Sequence, residues 1–461
     1  MRQFAPWLLF VACLSSCALP DTSPQPGAAL APNADWRTDI PGQAEVDARW
    51  WQEFGDPAII ALVDAALANN ADIAIAVARV REARGQERLA RAALWPTLDA
   101  SVSASRARSV NAFGQPNASS TVQPLVQAAY EVDLFGRISD QASAAKSAFL
   151  ASEAARDAVR LSVAAATASG YVTLLGLDAR RDVVRSTITA RQESLRIARS
   201  RAEVGYTSQL ELRQAEAEYQ AAALILPQVE VAIARQENAL RLLAGDLPGP
   251  VGRGRSLTAL SFPPFPEQGL PSELLRRRPD IAQAELTLAA SDATLSAARK
   301  QFLPSLSLAT SANAVFSSAL PDPVTIWSVG SSVLAPLFEG GRLRAGVDVA
   351  AARRDQAAFA YRKTALTAFR EVEDALANVD SLRRQRLITE AQRAAIADAL
   401  RHAHNRYRAG YSSYIEELDA QRALLSADLG LVQLRADQAI ALITLYQALG
   451  GGWSATASPP S

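Results

Sequence analysis

The chain has almost none of the residues that enzymes use for nucleophilic or metal chemistry. Its 461 residues include two cysteines, two histidines and one methionine. Both cysteines, Cys13 and Cys17, fall in the first 17 residues, which leaves the body without a disulfide framework or a cysteine metal site. The histidines, His402 and His404, stand two apart, so on a helix they point in different directions, unlike an i, i+4 zinc pair. No P-loop, GxSxG or HExxH is present. Charge of one sign is lacking too: 47 basic residues balance 47 acidic ones, so there is no electrostatic footprint for nucleic acid. The sequence therefore predicts no enzyme, no cofactor and no metal.

Proline is missing over two long stretches, 125–226 and 337–458. Within them, 138–204 and 342–409 are rich in Ala and Arg and strongly favour helix. At 1.5 Å per residue such helices are each ~100 Å long. Each is followed by a glycine (Gly205, Gly410), a polar turn and a returning helix, 208–244 or 412–449. Hairpins of this length are too long for a compact globule and are expected to pack side by side as coiled coils.

The N-terminus reads as a targeting segment. Arg2 precedes an apolar run, Trp7 to Leu14, that is too short to span a bilayer. It ends in Leu14-Ser15-Ser16-Cys17, which looks like a bacterial lipobox, with Cys17 the lipidated residue after cleavage. Multiple acyl chains would give stable anchoring. Ala18 follows, where many lipoproteins retained at the inner membrane have Asp.

The chain also says nearly the same thing twice. Asp72-Ile73-Ala74-Ile75-Ala76 matches Asp280-Ile281-Ala282-Gln283-Ala284, and Pro96-Thr97-Leu98 matches Pro304-Ser305-Leu306, at an offset of 208. Leu134-Phe135 matches Leu337-Phe338, and Arg201-x-x-x-Gly205-Tyr206-x-Ser208 matches Arg406-x-x-x-Gly410-Tyr411-x-Ser413. A period this long means a duplicated half-molecule. The expected segments are a signal peptide (1–16), a lipid-anchored extended tether (17–49), a first repeat (50–245), a Pro-rich linker (246–271), a second repeat (272–453) and a disordered tail (454–461).

Each repeat carries two stretches of period 2. In the first repeat they lie at 96–108 and 122–135, on either side of the Gly/Asn/Ser-rich segment 111–121. In the second they lie at 304–316 and 324–337. Leu98, Ala100, Val102 and Ala104 oppose Thr97, Asp99, Ser101 and Ser103, the alternation of a tilted transmembrane strand. Four such strands cannot close a barrel, and open edges are not tolerated in hydrocarbon, so several chains must share one. Three chains would supply twelve strands.

Four motifs resemble the TolC-like outer-membrane efflux proteins, in particular their NodT-type lipoprotein subgroup, over 17–453. They are Trp50-Trp51-x-x-Phe54-x-Asp56-Pro57, Tyr130-Glu131-Val132-Asp133-Leu134-Phe135-Gly136-Arg137, Leu270-Pro271-Ser272-Glu273-Leu274-Leu275-x-Arg277-Arg278-Pro279-Asp280-Ile281, and Tyr446-Gln447-Ala448-Leu449-Gly450-Gly451-Gly452-Trp453. The resemblance implies a mainly α fold with a membrane β part. Long helical hairpins form a periplasmic α-barrel, and four strands per chain contribute to a trimeric twelve-stranded transmembrane β-barrel. It implies the exit duct of a tripartite efflux system in the outer membrane of a Gram-negative bacterium, conducting small molecules such as drugs or toxic compounds. The partners it implies are a homotrimer, a periplasmic adaptor (membrane-fusion) protein, an inner-membrane pump of the resistance-nodulation-division class, and outer-membrane lipid.

The same resemblance assigns roles at the hairpin tips. Arg201, Gly205, Ser208, Arg406, Gly410 and Ser413 match adaptor-contact positions; a purely local role is that the glycines make the turns and the serines cap the returning helices. Glu416 and Asp419, three apart on one helix face, match the family's acidic constriction, Tyr407 a gate tyrosine and Glu211 an acidic partner in the first hairpin. In a trimer each acid becomes a ring of three carboxylates whose focused potential favours cations. An arginine that some relatives place after the tip glycine is Ser412 here, with Arg408 a possible substitute. A purely structural coiled-coil lipoprotein would account for the helices but leave the four strands idle.

Overall fold

The structure is a computed structural model, and it describes residues 35–38, 42 and 46–454 apart from 111, 268 and 270. Cys17, the signal segment and the last seven residues lie outside the described residues. A 3-10 turn, Trp50–Phe54, leads into α1 (Pro57–Asn69), α2 (Ala71–Ala92), β1 (Thr97–Val110), β2 (Pro116–Val132), α3 (Arg137–Glu203) and α4 (Gln209–Leu243). A second series follows: α5 (Pro271–Arg277), α6 (Pro279–Lys300), β3 (Ser305–Ser317), β4 (Val324–Leu334), α7 (Arg342–Arg408) and α8 (Tyr414–Ala448). The duplication is metric as well as textual: α3 and α7 each hold 67 residues, α4 and α8 each 35, and α2 and α6 each 22.

The chain divides into two compact units that cut across the sequence repeats. Arg79–Glu153 and Gln283–Lys363 make the first, which holds all four strands. The described residues of Ala31–Ala78, Ala154–Ala282 and Thr364–Ser461 make the second, which holds both hairpin tips. Each repeat thus gives one strand pair to the first unit and one helical turn-around to the second.

In the first unit the strands form one antiparallel sheet in the order β1-β2-β3-β4. Register sorts most of the side chains by polarity. Leu98, Ala128, Thr310 and Val329 form one cross-strand row, and Ala100, Val126, Ala312 and Trp327 the next. Val132, Leu306 and Val333, with Ala104, Val122 and Phe316, extend the same face. The opposite face carries Asp99, Gln127, Ser311 and Ser328, where the two serine hydroxyls bond at 2.8 Å. One face is therefore mainly apolar, with Arg106 and Arg108 on it, and the other mainly polar, with Leu125, Val315, Val324 and Ile326 on it, while β1 and β4 have no further strand partner among the described residues.

β2 starts at Pro116, six residues before the expected 122. The Ser/Asn segment pairs instead of looping, with Asn117 to Thr121 set against Ser109 to Ser105. Backbone pairing does not need apolar side chains, so the polar composition concealed it. The β2–β3 ladder skips Gln123 and Pro124, as a residue without an N–H requires. β2 stops at Val132, three residues before the expected 135, because Asp133 turns to cap α3. Its carboxylate accepts from Ile138 N at 3.0 Å and Ser139 N at 2.8 Å. β4 ends at Leu334 rather than 337, just before Pro336.

The second unit is built around Trp50, which is fully buried and stacked on Tyr446 with centroids 5.6 Å apart. Beside it, the buried carboxylate of Asp56 caps α1 through Ala58 N at 2.8 Å. It also accepts from Tyr171 Oη at 3.1 Å and Arg255 N at 2.9 Å. A Cβ on Gly254 would sit 1.9 Å from that carboxylate, so only glycine passes there. Arg278, from the Arg-Pro-Asp-Ile motif, pairs with Asp280 at 2.7 Å and Glu371 at 2.8 Å and donates to Ala448 O at 3.0 Å. Three of the four motifs thus knit this unit together.

Two stretches expected to be loose are packed. In the Pro-rich segment, Val251, Leu257 and Leu260 are buried in the core, and Arg253 pairs with Asp178 at 2.8 Å. In the expected tether, Trp36 donates to Gly269 O at 2.9 Å and its ring meets Phe369 at 6.2 Å. α4 continues through Pro227, which removes one backbone donor without ending the helix.

Replacing Asp56 with Ala strips a helix cap and leaves the buried Tyr171 hydroxyl and the Arg255 N–H without their acceptor. We expect a loss of about 3 kcal/mol, read as a lower thermal midpoint of the detergent-solubilised full chain. A midpoint within a degree or so of wild type would show that solvent replaces these bonds.

Candidate functional site: the helical hairpin tips

Both turns are made by glycines in the left-handed region, Gly205 at φ 72° and Gly410 at φ 79°, each with open space where a Cβ would stand. Arg201 and Arg406 accept the returning backbone: Tyr206 N donates to Arg201 O at 2.8 Å and Tyr411 N to Arg406 O at 2.9 Å. The duplication ends at the caps. Ser208 accepts from Glu211 N at 3.3 Å, whereas Ser413 makes no side-chain cap bond, so the capping role holds for Ser208 alone. Ser412, between that glycine and Ser413, has a buried hydroxyl without a partner among the described residues.

Behind the turns lies a small core of Ala198, Ala215, Tyr407, Tyr414 and Leu418. Tyr407 is buried, and its hydroxyl donates to Glu211, which also accepts from the Thr207 hydroxyl. The Arg201 guanidinium lies 4.9 Å from the Tyr407 ring centroid. Burial, with the Glu211 carboxylate adding, holds the phenol well above its usual value, so Tyr407 stays a donor. Tyr407 and Glu211 thus join α7 to α4, and Arg201 brings in α3.

A second node joins three helices. Glu218 of α4 accepts from the nearly buried Arg191 of α3 and from Arg422 of α8. Burial alone would raise the Glu218 carboxyl, but the bond from Arg422 and the charges of both arginines outweigh it and hold it below the ordinary value. Arg422 thus supplies a cross-helix ion pair, while Arg408 is exposed and makes no ion pair among the described residues.

Glu416 and Asp419 are both exposed, with side chains 47% and 69% accessible, and are only loosely paired, to Arg406 at 3.8 Å and Arg422 at 3.5 Å. The buried acid is their neighbour Glu417, whose side chain is 3% accessible. It meets His404 Nδ1 at 2.9 Å and accepts from Gln421 Nε2 at 3.0 Å. Tyr414, beside it, is pushed up to about 12 by burial, with the charge of Glu417 adding. The sequence held a signal for this: Tyr414, Glu417, Leu418 and Gln421 follow the inward 3.6-residue stripe, while Glu416 and Asp419 lie off it. His402 turns elsewhere, to Asp398 at 3.5 Å.

A sheet with one apolar face, joined in sequence to paired long helices, defines the class. The outer membrane efflux protein family model matches residues 62–246 and 270–451, and the chain belongs to that family. Among its relatives, the solvent efflux pump outer membrane protein SrpC of Pseudomonas putida is 36% identical, over 87% of each chain. The outer membrane protein OprJ of Pseudomonas aeruginosa is 34% identical, covering 97% of this chain and 95% of its own. Among solved structures, the CmeC outer membrane channel of Campylobacter jejuni superposes with a TM-score of 0.85 at 26% identity, over 95% of this chain and 96% of that one. The MtrE outer membrane channel of Neisseria gonorrhoeae, in its open state, gives 0.82 at 29% identity, over 94% and 98%. The protein is thus an outer-membrane efflux component with a channel fold.

Because the Glu218 carboxyl lies below its ordinary value in the fold, its contribution is fully present above the unfolded-state value near 4.3 and fades as pH falls through the folded-state value. We expect Glu218→Gln to flatten the acid side of the thermal-stability profile relative to wild type. Parallel acid slopes for the two proteins would remove Glu218 from the tip's fastening.

Proposed function

We propose that the chain is one third of a passive exit duct, which conducts small molecules delivered by an inner-membrane pump and a periplasmic adaptor. The observation that carries this reading is the sheet, mainly apolar on one face, mainly polar on the other and open at both edges. In hydrocarbon each open edge leaves backbone groups unpaired, so β1 of one copy is expected to pair with β4 of the next. Closed threefold symmetry then gives a barrel of twelve strands with its polar face inward. The helices α3 and α7, each ~100 Å long by their residue count, have the reach of a periplasmic conduit. Relatives named as solvent and antibiotic efflux pump components favour apolar and drug-like cargo over protein. Acylation at Cys17 would anchor each copy in the same membrane.

At the tips, Arg201, Gly205, Ser208, Arg406, Gly410 and Ser413 offer an adaptor two chemically similar turns from one chain, a pseudo-sixfold set in a trimer. Tyr407–Glu211 and Arg191–Glu218–Arg422 are the bonds that such docking would have to loosen. The exposed Glu416 and Asp419 are suited to rings of carboxylates facing solvent.

The first test is the native mass of the detergent-extracted mature protein. A trimer is expected; a stable, folded monomer would leave the sheet unable to close and sink the duct. The second is single-channel recording in planar bilayers. Glu416→Gln combined with Asp419→Asn should raise conductance or lower cation selectivity, and unchanged values of both would take these residues out of the constriction.

A further inference from the structure

The register that makes one face of the sheet apolar carries two arginines onto that same face. Arg106 and Arg108 continue the series Leu98, Ala100, Val102 and Ala104 along β1, and they stand opposite Ser120 and Ala118 of β2. Both are exposed, and no carboxylate pairs with either among the described residues. The sequence explains this, because no Asp or Glu occurs from Ala100 to Val110 or from Pro116 to Tyr130. An unpaired guanidinium on a lipid-facing strand is costly near the bilayer midplane and nearly free at its boundary.

Their height can be estimated. At ~3.4 Å per residue and a tilt near 40°, Arg106 lies roughly 21 Å and Arg108 roughly 26 Å above Leu98, the first apolar residue of the strand. That is about the full height of the apolar band, ~25 Å. The strand ends near Leu98 lead into the helices, so the β1–β2 turn points away from the periplasm and the arginines reach the outer boundary. Two guanidiniums two residues apart on one strand are roughly 7 Å from each other, a spacing that lets each take a separate phosphate oxygen pair.

We propose that Arg106 and Arg108 form a binding site for the phosphate groups of the outer-leaflet glycolipid, repeated once per chain around the barrel. This rests on the reading of the sheet as a membrane barrel wall. Charge complementarity selects the occupant: the site faces lipid and sits at headgroup height, and nothing on β1 or β2 at that level offers it an internal counter-ion. The bound phosphates would fix the barrel's height in the outer leaflet and cover the edge strand β1 close to the seam with the next copy.

The test uses the full-length trimer and native mass spectrometry, with bis-phosphorylated lipid A, the same lipid without its phosphates, and inorganic phosphate as probes. Wild type should retain the phosphorylated lipid about tenfold better than the dephosphorylated one. R106Q/R108Q should lose that preference, and inorganic phosphate at equal concentration should not displace the lipid. Equal retention of the two lipids by wild type would overturn the site without recourse to any variant, as would an unchanged preference in R106Q/R108Q. Displacement by inorganic phosphate would overturn the lipid as occupant and leave a free-anion site. Bilayer conductance separates the two levels: conducting wild-type channels with no lipid preference sink this inference alone, whereas failure to insert sinks the duct as well.

Discussion

Two unpaired strand edges govern the rest of this molecule. The sheet of β1 to β4 presents an apolar face that water does not favour and open edges that hydrocarbon does not tolerate. Only closure removes both penalties, and one chain has too few strands to close around a passage wide enough for solutes. On the barrel reading proposed above, oligomer formation is a condition of the sheet's closure rather than an addition to the fold. The duplication follows the same logic, since each repeat brings one strand pair and one helical hairpin.

The interior of the second unit is organised by polar anchors set among aromatic and aliphatic packing. Asp56 satisfies a helix terminus, a phenol and a backbone N–H at once, and Arg278 ties the start of α6 to the end of α8. Buried charges of this kind add little net stability over an apolar core, but removing one partner strands the others. That asymmetry accounts for motifs such as Trp-Trp-x-x-Phe-x-Asp-Pro and Arg-Pro-Asp-Ile, which look like chemistry in the sequence and act as fasteners in the fold.

The fold class was legible because its signals are long. A helix of 67 residues without proline and a period-2 run beside it are hard to mistake, and their recurrence at a fixed offset doubles the evidence. Boundaries set by single residues were less legible. The start of β2 was hidden because Asn117 to Thr121 have turn-forming side chains yet pair along their backbones. The ends of β2 and β4 depend on where Asp133 and Pro336 stop pairing, and the packing of 246–271 depends on partners far away in sequence. At the tips, the Tyr407–Glu211 bond joins residues 196 apart, so no local pattern shows it. Glu417 differs from Glu416 and Asp419 in helical phase, which places it inward.

The tip combines two kinds of acid, and the difference has a physical consequence. Glu211, Glu218 and Glu417 are engaged by Tyr407, by Arg191 and Arg422, and by His404, in bonds within a single chain. Their charge is largely spent on holding α3, α4, α7 and α8 together. Glu416 and Asp419 are exposed and have only long pairings, so more of their charge is left uncompensated within the chain. A conformational change that pulled Arg422 from Glu218 would break a three-helix joint and release an arginine beside Asp419. Loosening the tip and altering its field are then one event, because Arg422 stands in both.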